Sequence, residues 1–78
     1  MTLIRKLIVQ LAKRNGRITA FDLEAHYCGV KVASLSPSLW RMELQDMASA
    51  GILEVAGIRW HPVQACEYNL TEGARYAG

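Results

Sequence analysis

Leu3, Ile4, Leu7, Ile8 and Leu11 recur at the spacing of one face of an α-helix. Thr2 stands before them as an N-cap, and Gly16 marks the end. Arg17-Ile18 reads as a very short strand. Thr19 followed by Asp22 three residues later has the form of a capping box, and predicts a short second helix over about Ala20 to Tyr27, closed by Cys28-Gly29. Phe21, Leu23, Ala25 and Tyr27 cannot all share one side of it, so part of that aromatic surface meets neighbouring helices or stays exposed. Val30 to Ser36 neither alternates nor follows a helical period, and is expected to be an extended loop. Ser36-Pro37 then opens a third helix, because serine caps and proline is tolerated at the first helical position.

The third helix is the best defined. Trp40, Leu44, Met47 and Ala48 share one face while Arg41, Gln45 and Ser49 fall elsewhere, which predicts a helix over about Pro37 to Ala50. Gly51 can adopt a left-handed cap without steric cost. Ile52-Leu53-Glu54-Val55 follows at once as a strand-like run, so helix and strand are coupled with no linker. Two strands, Ile52 to Trp60 and Ala65 to Leu70, flank His61-Pro62-Val63-Gln64, whose proline favours a turn. Thr71-Glu72 caps at most one last helical turn, weakened by Gly73 and Gly78. The expected fold is α+β, mostly α: one domain spanning 1–78, with three helices and a two- or three-stranded hairpin unit.

Size and composition narrow the class. With 78 residues, the chain is near the lower end of what one hydrophobic core can stabilise, which leaves a homodimer open. At 51% hydrophobic and 21% charged residues it is too apolar to be disordered, and its apolar runs fall short of the roughly 20 residues of a membrane helix. Arg5 and Lys6 interrupt the first apolar segment and no small-residue cleavage site follows, so a cytoplasmic location is expected. Cys28 and Cys66 are expected to be reduced and partly buried rather than paired. The net charge is only +2, but Arg5, Lys6, Lys13, Arg14 and Arg17 place five of nine basic residues before position 18, where no acid occurs. This predicts a basic patch at the N-terminal end.

The order helix, short strand, helix, helix, hairpin resembles a winged helix-turn-helix. Leu44, Met47, Ala50, Gly51, Ile52 and Leu53 are similar to the end of its recognition helix. Tyr68-Asn69-Leu70-Thr71-Glu72-Gly73 resembles the segment leaving the wing in small regulators of the MarR and PadR kind, with the glycine one position early. The resemblance covers about residues 3 to 73. It implies a small bacterial, phage or plasmid transcriptional regulator, although the loop from Cys28 to Ser36 is longer than in compact versions.

If the third helix enters a major groove, Ser38, Arg41, Met42 and Gln45 are placed to reach base edges. Arg41 and Gln45, four apart, suit two-bond recognition of guanine and adenine; the other reading is an ordinary solvated face. Lys31, Ser34 and Ser36 are candidates for phosphate near the helix entrance, with loop solubility and capping as the alternative. The resemblance implies a minor-groove or phosphate role at the wing for Arg59, His61 and Gln64. Glu43 and Asp46 count against DNA, since carboxylates facing a phosphate backbone repel it. Trp60 is expected to cover the core; alternatively, with Met42 and Tyr27, it marks a protein-binding surface.

His26 with Cys28, and His61 with Cys66, do not follow a zinc spacing, so no metal or cofactor is expected. There is no glycine-rich phosphate loop and no nucleophile with a base at a known spacing, which argues against an enzyme. The leading expectation is a sequence-specific regulator that binds double-stranded DNA; the alternative is a protein-interaction module on the same scaffold.

Overall fold

Helix α1 (Leu3–Asn15) begins where the Thr2 side chain accepts a hydrogen bond from the Arg5 amide at 3.3 Å. It buries Ile8, Leu11 and Ala12 and ends on Gly16, whose φ of 86° lies in the left-handed region. The computed structural model describes residues 2–61 and 63–76, so the expected turn at Pro62 and the weakening assigned to Gly78 lie outside the described residues.

Helix α2 (Ala20–His26) carries the complete capping box: the Asp22 amide donates to Thr19 Oγ1 at 3.1 Å, and the Thr19 amide donates to Asp22 Oδ2 at 2.9 Å. Its last residue is His26, because Tyr27 turns inward as the cap. The Tyr27 ring lies 5.8 Å from that of Trp40, and its hydroxyl donates to the Leu7 carbonyl at 3.0 Å. Tyr27 is therefore core, not part of an exposed surface with Met42. The segment expected to be an extended loop contains a 3₁₀ turn at Lys31–Ala33, which buries Ala33. A single three-residue turn offers too few positions for a period to show.

Helix α3 (Pro37–Ser49) starts with Ser36 accepting from the Leu39 amide at 3.3 Å and Pro37 in the first turn. It buries Trp40, Leu44 and Met47. At its end the Gly51 amide bonds the Ala48 carbonyl and the Ile52 amide bonds the Met47 carbonyl. These two bonds form a Schellman cap, which needs the positive φ of 81° at Gly51. Ile52 is used in the cap, so strand β1 (Leu53–Arg59) begins one residue later than its apolar run.

Strand β2 (Ala65–Leu70) pairs antiparallel with β1, with Leu53 opposite Leu70 at the base and Arg59 opposite Ala65 at the far end. The register shifts between Val55 and Gly57, a bulge that re-aims the outer half of the hairpin. On its other edge β2 is bridged by Ile18 alone among the described residues, through two backbone bonds with Tyr68 at 2.9 and 2.8 Å. Among the described residues the sheet proper has two strands, and the third is reduced to one residue. Thr71 ties the end of β2 to the α3 junction by donating to the Gly51 carbonyl at 2.8 Å, and accepts from the Ala74 amide in the short helix α4 (Glu72–Tyr76).

The described residues thus form a small, mostly helical α+β structure with four α-helices and one antiparallel pair of strands. α2 packs on α3, α3 on β1, and α1 on β2, so one core of Ile8, Leu11, Ile18, Leu23, Leu44, Met47, Leu53 and Leu70 closes around Trp40. No helix among the described residues is long and apolar enough to cross a membrane.

Candidate functional site

The chemistry of α3 divides along its two flanks, because positions three or four apart stack on one side of a helix. Glu43 and Asp46 lie toward α1, where Arg5 Nε stands 3.2 Å from Glu43 Oε2 and Arg5 Nη2 stands 3.9 Å from Asp46 Oδ2. Ser38, Arg41 and Gln45 lie on the other flank and line a hollow of about 450 Å³ between α2, α3 and the hairpin. Phe21 from α2 and Ile58, Val63, Gln64, Cys66 and Tyr68 from the hairpin complete most of its wall. Arg41 has no carboxylate partner among the described residues. Met42 lies on the outer face of α3, 59% exposed.

The hairpin is braced against α2 by Arg59. Its Nη1 contacts both Asp22 oxygens, at 2.7 and 2.9 Å, while Nε and Nη2 reach Glu67 Oε2 at 3.0 and 2.9 Å. Hydrogen bonding to Asp22, and then to Glu67, outweighs the effect of burial and raises the guanidinium pKa above its already high ordinary value. Arg17 adds a looser contact to Glu67 at 3.8 Å. Asp22 therefore performs two tasks, closing the capping box of α2 and holding the hairpin.

The ten expected contact residues fall into three groups. Ser38, Arg41, Met42 and Gln45 lie together on the exposed side of α3, and Gln64 joins three of them at the hollow. Lys31, Ser34 and Ser36 are exposed before α3, but the Ser34 hydroxyl donates to the Val30 carbonyl at 2.9 Å and Ser36 caps the helix. Arg59 is engaged by two carboxylates, whereas His61 at the far end of the hairpin is exposed.

Three expectations are corrected. Trp60 does not cover the core; it is 63% exposed. It lies just beyond the end of β1, at the outer end of the hairpin. The N-terminal basic patch is smaller than its five residues suggest, because Arg5 and Arg17 are drawn into pairs with acids distant in sequence; Lys6, Lys13 and Arg14 remain without carboxylate partners among the described residues. Cys28 and Cys66 are free but exposed, not partly buried, since one follows the end of α2 and the other faces the hollow.

Sequence reasoning did not assemble the hollow. Phe21 carried a signal, as an aromatic unable to share its helix's buried face, but Ile58, Cys66 and Tyr68 meet it only through the hairpin register. Burial raises the Tyr68 hydroxyl pKa, Cys66 adds to this and Arg41 opposes it; all three residues line the hollow. No group of three or more His, Cys, Asp or Glu side chains is placed to hold a metal ion among the described residues. No known protein family, characterised protein or solved structure gives a significant match to the chain.

Proposed function

We propose that the chain is a winged helix-turn-helix that binds double-stranded DNA as a sequence-specific regulator of transcription. The observation that carries this reading is the division of charge on α3. Glu43 and Asp46, the acids that would repel a duplex, lie on the α1 flank beside Arg5, while Ser38, Arg41, Met42 and Gln45 occupy the open face. In this reading that face enters the major groove, Arg41 and Gln45 contact base edges, and the hairpin lies along the backbone as the wing. Lys31 and the free lysines and arginine of α1 supply sequence-independent attraction. A homodimer adds a second half-site one helical turn away.

The expected result is retardation of duplex DNA at low salt that weakens steeply as salt rises. Arg41→Ala should lower affinity by about 5- to 150-fold, the loss of roughly 1–3 kcal/mol for one two-bond base contact. Because Arg41 is exposed and unpaired among the described residues, the thermal midpoint should barely move. Absence of both gel retardation and amide shift changes at low salt would remove this reading.

The exposure of Trp60, Ile58 and Val63 on the outer hairpin favours a second reading, a winged-helix protein-interaction module that does not bind DNA. In that case duplex titration leaves the amide spectrum unchanged, and a protein partner perturbs Trp60 and its neighbours.

A further inference from the structure

The hollow between α2, α3 and the hairpin has the make-up of a ligand site in its own right. Its volume of about 450 Å³ falls in the range of sites for small organic molecules. Phe21, Leu44 and Ile58 form apolar walls, and Phe21 and Ile58 remain 41% and 47% exposed although each is large and hydrophobic. Ser38, Arg41, Gln45, Gln64 and Tyr68 supply the polar part of the lining, and none of their side chains makes a hydrogen bond among the described residues. Arg41 has no carboxylate, and Tyr68, only 5% exposed as a residue, has no hydrogen-bond partner for its hydroxyl among the described residues.

We infer that this hollow binds an organic monocarboxylate with an apolar body, its carboxylate held by the Arg41 guanidinium and the Tyr68 hydroxyl and its body lying against Phe21, Leu44 and Ile58. The charge balance selects this class. Among the described residues Arg41 is the one cation in the lining and no acid accompanies it, which suits a single negative charge and disfavours polyphosphates and zwitterions. An arginine and a hydroxyl together supply parallel donors to two carboxylate oxygens. Binding stands apart from the DNA reading. Its consequence rests on that reading: a ligand on Arg41 occupies the side chain assigned to the major groove, so carboxylate and duplex compete.

Cys66 lines the same hollow, and Cys28, also free and exposed, lies elsewhere, so the chain carries its own reporter and control. The test is the rate of iodoacetamide alkylation at each cysteine of the full chain, followed by mass spectrometry with decanoate as the probe. Saturating decanoate should slow Cys66 about 10-fold or more and leave Cys28 unchanged. Decanol, with the same tail and no charge, should protect far less. Arg41→Gln and Tyr68→Phe should each weaken decanoate protection by about 10-fold, the usual scale of one charge-assisted hydrogen bond. Unchanged Cys66 reactivity overturns the inference, as does equal protection by decanol that neither substitution affects. Duplex binding is measured separately: protection without gel retardation overturns the DNA reading and leaves the carboxylate site standing, and retardation without protection does the reverse.

Discussion

Trp40→Ala is expected to lower stability by about 3–5 kcal/mol, a large share of what the chain has. The indole is fully buried, stacks on Tyr27 and lies on the α3 face around which the other elements close. Removing a buried tryptophan costs about 3–5 kcal/mol through lost burial and the cavity left behind. A domain of 78 residues has a total stability of only about 4–12 kcal/mol at roughly 0.05–0.15 kcal/mol per residue. Trp40→Phe is the informative control. The Trp40 Nε1–H is buried with no partner among the described residues, so phenylalanine keeps a ring beside Tyr27 while removing an unsatisfied donor worth roughly 1–3 kcal/mol. The phenylalanine variant should therefore lose less than about 2 kcal/mol in urea unfolding and keep a cooperative transition. An alanine variant within about 1 kcal/mol of the parent would show that Trp40 does not organise the core.

Asp22→Ala should cost about 1–3 kcal/mol, more than its partly exposed position suggests. One part is the capping box of α2, where loss of a capping interaction typically costs about 0.5–2 kcal/mol. The other is the brace to Arg59, discounted because both side chains keep some contact with water. The two parts separate by substitution. Arg59→Ala removes the brace and leaves the box, whereas Asp22→Asn keeps an oxygen for the Thr19 amide and loses the charge that holds Arg59. Amide exchange should show faster opening of β1 and β2 in all three variants, and of α2 chiefly in Asp22→Ala. Additivity of Asp22→Asn and Arg59→Ala in a double-mutant cycle would dissolve the brace.

The elements themselves were largely legible from local chemistry. Thr2, Thr19 with Asp22, and Ser36 with Pro37 each satisfy amides within their own first turn, and Gly16 and Gly51 end helices through their own backbone conformation. Such signals act over three to five residues, and nothing distant has to be known to read them. The 3₁₀ turn at Lys31–Ala33 escaped because it is shorter than any period that would reveal it. The candidate site was legible only in part. Ser38, Arg41, Met42 and Gln45 follow from which face of α3 is apolar, but the partners of the charged residues do not.

Arg5 is separated from Glu43 by 38 positions and Arg59 from Asp22 by 37, and in each case the partner was chosen by how whole elements pack. That packing turned an apparent obstacle, the acids of α3, toward α1, and engaged Arg59 in a brace to α2 and β2. It also left Trp60 in solvent and buried Tyr27, although both are aromatic residues near the ends of amphipathic segments. Helix, cap and strand were written in short-range hydrogen bonding and in the period of apolar side chains. Pairing of charges, the fate of each aromatic and the hollow beside α3 depend on distances between elements, and those exist only once the core has closed around Trp40.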